Sequence, residues 1–138
     1  MSLEELHAVE LLDRVPYGRL AASLRAMPFL VPARHIVTDG RVLLRPHAAF
    51  DHQRACCGSV VAYGADNLGS GAAELWSVQF TGTAETARPT DEELERLGPC
   101  PRRIDDQEFR PAYLRIEPRF VTVHTMDRSG EQPERHIP

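Results

Sequence analysis

The stretch from residue 75 to residue 85 constrains the fold more than any other part of this sequence. It reads L-W-S-V-Q-F-T-G-T-A-E, so that Trp76, Val78 and Phe80 fall on one face of an extended chain and polar residues fall on the other. Successive side chains of a β-strand point to opposite faces, and this alternation is typical of a strand with one buried side. The stretch therefore predicts a long strand whose inner face carries Trp76.

Other runs with strand character lie on both sides of it, at residues 18–24, 29–38, 41–45, 59–65 and 113–126. Asp39-Gly40 separates two of these runs and is a strong hairpin signal. Pro32 interrupts one of them, and because proline has no N–H to donate, it indicates an edge position, a bulge or a strand start. Six or so strands without regular alternation with helices favour a barrel or sandwich over a parallel sheet.

Three short helices complete the prediction. Ser2 caps the first over residues 2–13, with Glu5 in capping-box spacing. Its apolar residues recur on one face, namely Leu3, Leu6, Val9 and Leu12. Thr90 opens the second helix in the same capping spacing, and a Gly-Pro pair ends it. The third is expected within residues 46–57, after a loop, and residues 99–111 are expected to form a loop as well.

Composition narrows the classes of function. A chain of 138 residues suits one domain. All 16 basic residues are arginine, so Schiff-base and general-base chemistry of lysine is excluded within this chain. The net charge of −4 and the scattered arginines argue against nucleic-acid binding. No apolar run approaches the roughly 18 residues of a membrane helix, and the acidic start lacks the pattern of a secretory signal, so we expect no membrane partner and a cytoplasmic location.

Four stretches occur in an order that is characteristic of one protein family. Residues 17–21 read Y-G-R-L-A, and residues 27–32 read M-P-F-L-V-P ahead of the Asp-Gly turn. Residues 76–84, W-S-V-Q-F-T-G-T-A, are the most specific, and residues 114–118 read L-R-I-E-P. In this order they resemble the G-R-L opening strand, the second strand, the W-S-V-x-x-x-G-x-A strand and the R-I-x-P motif of the pyridoxamine 5'-phosphate oxidase-like FMN-binding split-barrel family, especially its short bacterial members.

The resemblance implies a mainly β fold, a six-stranded split barrel with short helices that pairs as a homodimer and holds a small-molecule ligand at the dimer interface. The barrel domain would cover residues 1–126, and residues 127–138, which have almost no apolar content, would form a flexible tail. The resemblance also implies a flavin-type oxidoreductase, in which FMN or a deazaflavin carries hydride and no side chain need act as acid or base. It places Ser77 near the flavin ring and Arg45 near the phosphate.

The sequence departs from the family just after Arg45, at the start of the family's R-T-x-x-G-S-K segment. Pro46, Ala49, Phe50 and Asp51 stand where the family has threonine, glycine, serine and lysine. A phosphate cradle needs hydroxyl donors, backbone N–H groups and a cation. Pro46 removes an N–H, and Phe50 offers no donor. The carboxylate of Asp51 would repel the phosphate, since like charges about 4 Å apart cost on the order of 4 kcal/mol at an effective dielectric near 20. This departure motivates a second hypothesis, a cofactor-free dimer that acts as a binding protein.

The candidate cofactor-binding residues are Arg45, Pro46, His47, Asp51, His52, Trp76 and Ser77. Two have simpler interpretations, because Arg45 can be an exposed arginine at a strand end and Trp76 a core residue. His47, Asp51 and His52 form an H-x-x-x-D-H group with His35 one strand earlier, but no second ligand cluster exists, so no metal site is predicted. A third hypothesis is a haem-binding barrel in which His47 or His52 is the axial ligand.

Overall fold

The computed structural model describes residues 2–48 and 56–127. Its elements follow in chain order: α1 (Leu3–Leu12), β1 (Tyr17–Leu24), β2 (Met27–Thr38), β3 (Arg41–Arg45), β4 (Val60–Asp66), β5 (Glu74–Thr86), α2 (Asp91–Leu97), β6 (Arg103–Ile104), β7 (Gln107–Glu108) and β8 (Leu114–Asp127). Most of the third predicted helix and all but one residue of the predicted tail lie outside the described residues. The division into a domain and a tail stays a prediction.

Six strands close into an antiparallel barrel in the order β1-β2-β3-β8-β5-β4, with β4 pairing back to β1. The predicted six-stranded, mainly β fold is confirmed. Closure gives each barrel strand a neighbour on both sides along part of its length and so leaves few backbone groups for strand-edge association. The longest ladder joins β5 to β8, from Glu74 opposite Asp127 to Thr86 opposite Leu114.

The interior is built from the inward side of each strand. Trp76, Val78 and Phe80 of β5 are buried, as their alternation predicted. Leu20 and Tyr63 reach the same cluster from β1 and β4. Together with residues of β8 they form one continuous apolar core inside the barrel.

Strand β2 runs through Pro32 without a break. Pro32 lies opposite Arg19 of β1, whereas β3 pairs with β2 only from Arg34 to Thr38. At Pro32 the strand therefore has one neighbour, and the missing N–H removes no bond to β3. Of the three interpretations that the sequence left open, the edge position is correct.

Helix α1 has the predicted cap but buries only part of the predicted face. The Ser2 side chain accepts a hydrogen bond from the Glu5 N–H at 3.1 Å. Leu3 and Leu6, predicted on the buried face, are exposed, and the residues packed on the barrel are Ala8, Leu11 and Leu12. The prediction from spacing was correct for Val9 and Leu12 and wrong for the two leucines of the first half, because the helix contacts the barrel with its second half.

The region between α2 and β8 differs from the predicted loop. Helix α2 has a complete capping box between Thr90 and Glu93 and ends at Gly98, whose φ of 78° is in the left-handed region that glycine tolerates. Strands β6 and β7 then form a small hairpin. Asp105 and Asp106 both have positive φ at its turn, as expected when two residues join antiparallel strands. Within residues 2–48 and 56–127 no helix is both long and apolar enough to cross a membrane.

A backbone contact at Gly82 fixes the bend of the longest ladder. The register shifts between Thr81 and Gly82, so that Arg119 of β8 is the extra residue of a bulge. A Cβ added to Gly82 would lie 2.0 Å from the carbonyl oxygen of Glu117. Because this neighbour is backbone, it cannot turn away as a side chain can.

We therefore expect Gly82→Ala to lower the free energy of unfolding by about 1–3 kcal/mol, the usual cost of overpacking. Chemical denaturation monitored by Trp76 fluorescence measures this change. Gly69→Ala is the matched control, since nothing lies within 4 Å of the position that its Cβ would take. Equal stabilities of the two variants would show that the bulge adjusts freely.

Candidate functional site

Arg45 ends β3 and points into the protein. Only 3% of the residue is exposed, so its interpretation as an exposed strand-end arginine is wrong. Its Nη1 donates to the Gly98 carbonyl at 2.7 Å and its Nη2 to the Pro99 carbonyl at 3.1 Å. These carbonyls follow the C-terminus of α2, where a cation is favoured. Nε has no hydrogen-bond partner among the described residues.

The three residues after Arg45 pair with a distant part of the chain. The Ala112 N–H donates to the Pro46 carbonyl at 3.0 Å, and the Ala48 N–H donates to the Arg110 carbonyl at 2.6 Å. The Arg110 N–H donates to Nδ1 of His47 at 3.0 Å, so that nitrogen carries no proton. The buried His47 ring also stacks on Phe109, with ring centroids 5.2 Å apart. Pro46 and His47 are therefore held by residues 109–112, a contact that the sequence did not reveal.

Trp76 and Ser77 lie on opposite sides of the barrel wall. Trp76 is buried in the core, which confirms its interpretation as a packing residue. Ser77 is partly exposed on the outer side, where it pairs with Asp66 of β4 and His124 of β8. Of the two, Ser77 alone can meet a ligand outside the barrel. The remaining candidates, Asp51 and His52, lie outside the described residues.

A small pocket of about 90 Å³ lies beside Arg45. Strands β1 to β3 contribute Tyr17, Arg34 and Arg45 to its wall, and residues 101–109 contribute Ile104 and Phe109. The surface that it exposes is almost entirely apolar. Sequence reasoning missed Ile104 and Phe109, because their only signal was membership of a loop rich in proline and charge.

Three guanidinium groups gather at this end of the barrel and bond to carbonyl oxygens. Arg34 donates to the carbonyls of Pro16 at 3.2 Å and Arg96 at 3.0 Å, and also to that of His35. Arg96 donates to the Val37 carbonyl at 2.9 Å. Burial, and after it the positive charge of Arg45, lowers the pKa of Arg34. The cluster is basic, and the contacts named here are all to main-chain oxygens.

These contacts decide whether the residues fit the phosphate of FMN. A bound phosphate takes several donors, either backbone N–H groups or forked guanidinium pairs. Pro46 has no N–H, the Ala48 N–H is bonded to Arg110, and both Nη atoms of Arg45 are bonded to carbonyls. A guanidinium has five N–H groups, so after these two bonds Arg45 keeps three for a ligand, namely Nε–H and the second hydrogen of each Nη. Within the described residues this stretch therefore offers a phosphate one guanidinium, while the backbone N–H groups of positions 46 and 48 are missing or already bonded.

The outer wall of the barrel carries a continuous row of residues in register. Leu30 is paired with Ala21, Ala21 with Ala62, Ala62 with Thr81, and Thr81 with Phe120. Leu30 and Phe120, at the ends of the row, are 62% and 71% exposed. Small side chains therefore lie between two exposed apolar ones. We call this set of five residues the outer row; Ser77 lies four positions before Thr81 on the same side of β5.

His35 is not available as a ligand. It is 1% exposed, its Nε2 lies 2.9 Å from the Leu12 carbonyl, and its Nδ1 lies 2.6 Å from the Tyr63 hydroxyl. The Tyr63 hydroxyl also lies 2.9 Å from the Ala33 carbonyl. Burial outweighs the Leu12 carbonyl and lowers the pKa of His35, which favours the neutral ring. In the neutral pair the proton on Nε2 serves the Leu12 carbonyl, and the Tyr63 proton is shared between Nδ1 of His35 and the Ala33 carbonyl.

This burial predicts a dependence of stability on pH. The unfolded chain binds a proton at His35 near pH 6.5 while the folded chain does not, so stability falls as the pH drops below about 6.5 towards the lower folded pKa. We expect His35→Asn to remove a slope of up to about 1.4 kcal/mol per pH unit from the free energy of unfolding. Urea titrations between pH 5 and 8 measure it, with His124→Asn, at an exposed histidine, as the control. A slope that persists in His35→Asn would assign it to other groups.

Sequence comparison places the chain among known proteins. A profile of the pyridoxamine 5'-phosphate oxidase family matches residues 4–125. The uncharacterized protein Rv0080 of Mycobacterium tuberculosis is 36% identical to this chain over 89 residues, which make up 61% of this chain and 59% of that protein. The match therefore spans about three fifths of that relative's length.

Solved structures share the architecture. An FAD binding protein from Mycobacterium smegmatis superposes with a TM-score of 0.68 at 22% identity, covering 91% of this chain and 98% of its own. An FAD-binding protein from Mesorhizobium loti gives 0.66 at 19% identity, covering 92% and 96%. A heme binding protein from Mycobacterium smegmatis gives 0.58 at 10% identity, covering 94% and 60%. At these identities the likeness establishes a common fold.

Proposed function

This chain belongs to the pyridoxamine 5'-phosphate oxidase family, and from that membership we propose that it is a flavin-type oxidoreductase domain, using FMN or a deazaflavin, that works as a homodimer. The observation that carries the proposal is the position of Ser77, on the outer side of the long strand whose other side builds the core. Two proteins of the same fold are named for binding FAD, and this supports the proposal.

A flavin would supply the hydride transfer, and the protein would orient the flavin and shield it from water. Ser77, Gln79 and Thr122 share one side of β5 and β8, where their polar groups can bond to the edge of a flat ring. Thr81 continues this polar side towards Phe120. These residues bind and orient the ligand, and a covering surface is needed to keep water from it.

A second copy of the chain supplies that covering surface in our proposal. The outer row exposes Leu30 and Phe120 with only small side chains between them, and Val60, close by on β4, is 65% exposed. Exposed apolar residues that adjoin one another on a small domain mark interaction surfaces. Two copies related by a two-fold axis would bury the same row on each. The ligand would then lie between the copies, beside Ser77.

One observation favours a second candidate function. Because Pro46 has no N–H and the Ala48 N–H is bonded to Arg110, part of the phosphate cradle is missing, and the barrel can also serve as a cofactor-free dimer that binds another small molecule. The fold has a haem-binding representative too, but here His35 has both nitrogens bonded and His47 accepts a bond at Nδ1. With Nδ1 accepting this bond, Nε2 of the neutral His47 ring carries the proton and cannot ligate iron, so a haem ligand among the candidates would have to be His52, which lies outside the described residues.

An absorption spectrum distinguishes these functions. We expect the purified protein, or the protein mixed with FMN and dialysed, to keep a flavin absorption band at about 450 nm. This band should shift relative to that of free flavin, because a ring bound between two protein surfaces is shielded from water. Ser77→Ala should weaken flavin binding, and Thr83→Ala, on the same side of β5, is the matched control. A protein that stays colourless with FMN contradicts the proposal, and a Soret band on adding haem would favour the haem-binding function.

The dimer is tested separately. Phe120→Glu places a charge in the proposed contact, so we expect the dimer to dissociate and flavin affinity to fall by at least tenfold, about 1.4 kcal/mol. Sedimentation velocity and flavin fluorescence measure the two effects. Leu94→Glu, at another exposed leucine outside the outer row, should leave both unchanged. A wild-type protein that sediments as a monomer at micromolar concentration contradicts the homodimer.

A further inference from the structure

Three polar side chains lie side by side on the outer wall of the barrel. Asp66 of β4 is paired with Ser77 of β5, and Ser77 is paired with His124 of β8. The residue before each of them packs against the interior core: Ala65, Trp76 and Val123. Because side chains alternate along a strand, the three polar side chains point outward, with directly opposite Cβ atoms about 4.5–5.5 Å apart. We call Asp66, Ser77 and His124 the polar row.

The carboxylate of the polar row already has partners, whereas the other two groups do not. Oδ2 of Asp66 lies 3.6 Å from Nη1 of Arg19, and its Oδ1 accepts a hydrogen bond from the Leu68 N–H at 3.0 Å. Ser77 and His124 make no side-chain hydrogen bond to any other described residue. The Ser77 hydroxyl and the exposed His124 imidazole are therefore available to a molecule that covers this wall.

The order of the polar row distinguishes it from the catalytic triad of a serine hydrolase. In a triad the imidazole lies between the hydroxyl and the carboxylate, and the carboxylate orients it. Here Ser77 is the middle residue, and Asp66 and His124 lie two strand spacings apart, about 10 Å. The carboxylate cannot orient the imidazole at that distance, so the row is a set of binding groups and not an activated nucleophile.

The outer wall changes from polar to apolar along β5. Ser77 of the polar row and Thr81 of the outer row are about 13 Å apart along the strand. Between them Gly64, opposite Gln79, leaves the outer side open, since a Cβ added to it would lie 3.5 Å from the Val78 carbonyl oxygen, an ordinary contact. A flavin ring has one hydrogen-bonding edge and one apolar, methyl-bearing edge. The wall matches such a ring lying along β5 with its hydrogen-bonding edge at the polar row.

We propose that His124 contacts the hydrogen-bonding edge of the bound flavin ring and that its imidazolium form favours the reduced, negatively charged ring. This inference rests on the proposed function. A flavin ring that takes up two electrons and one proton carries a negative charge at this edge, and a protein charge near N1 or N5 tunes its electronics. Histidine gains its proton near neutral pH, and a charge-assisted hydrogen bond is stronger than a neutral one.

The other titratable and charged groups around His124 leave its imidazole free for this contact. Glu74 and Asp127, paired at the end of the ladder, are each three positions from the polar row and therefore lie on the other side of the strands. Helix α1, whose buried residues are uncharged, packs against β8. Its titratable residues are at least partly exposed: Glu4, Glu5, His7 and Glu10. No carboxylate of the described chain is in contact with His124, so a negatively charged ligand can provide the counter-charge.

The reduction potential of bound FMN is the first test. FMN is mixed with an excess of the 138-residue chain, reduced with dithionite, and its potential is compared with that of free FMN. Both redox states carry the same phosphate, so the difference reports contacts of the ring. At pH 7 we expect reduced FMN to bind at least tenfold more tightly than oxidised FMN, a rise of about 30 mV for two electrons. This preference should fall at pH 9, where an imidazole is neutral.

Variants of His124 separate its charge from its hydrogen bond. His124→Gln keeps a donor without a charge, so we expect the preference for reduced FMN to disappear at both pH values. His124→Arg is charged at both pH values and should keep the preference without its pH dependence. His7→Gln, at an exposed histidine of α1, is the matched control and should behave like the wild type. Equal potentials of bound FMN in the wild type and His124→Gln overturn the inference, while the proposed function stands.

A variant at Gly64 tests the position of the ring. Gly64→Val fills the open side of the wall, so we expect it to weaken both redox states of FMN by the same factor, at least tenfold. Gly69→Val is the control, because nothing lies within 4 Å of its added Cβ. Unchanged affinity in Gly64→Val means that the ring lies elsewhere and the inference is wrong. If the wild type binds FMN in neither redox state, the proposed function fails and this inference fails with it.

Discussion

The ladder between β5 and β8 is the interaction on which the rest of this structure depends. The other four strands form a run from β4 through β1 and β2 to β3, and only β5 and β8 together join its two ends into a barrel. Their pairing places Trp76 and Phe80 on the inside and Ser77 and Thr81 on the outside. One ladder therefore builds the core and presents the surface on which a ligand can lie.

The bulge at Gly82 lets β8 pair with β3 at one end while it stays paired with β5 along its length. Beyond it, β8 continues to Leu114 and Ile116, which pack in the core and pair with β3. The close approach of Gly82 to the Glu117 carbonyl allows β8 to bend while both halves stay paired. Pro118 is accommodated at this point, where the register shifts and one ladder bond is not required.

Arg45 organises the other end of the barrel. A buried guanidinium needs acceptors, and here they are the carbonyls that follow α2. That requirement connects the end of β3 to the segment that follows α2, although Arg45 and Gly98 are 53 positions apart along the chain. It also explains how an arginine that resembles a phosphate ligand in sequence can serve the protein's architecture. The same family signature thus has a different physical meaning when the residues around it change.

The sequence by itself determined the six barrel strands, the capped ends of α1 and α2, the two faces of β5 and the family, because each of these depends on neighbouring residues and their period. It did not determine which half of α1 is buried, since spacing marks an apolar stripe but not where the barrel contacts it. Nor did it reveal the hairpin of β6 and β7, the pairing of residues 46–48 with 110–112, or the burial of Arg45. Only the tertiary structure decided these, because they depend on contacts between segments far apart in the chain, for which no local pattern of residues exists.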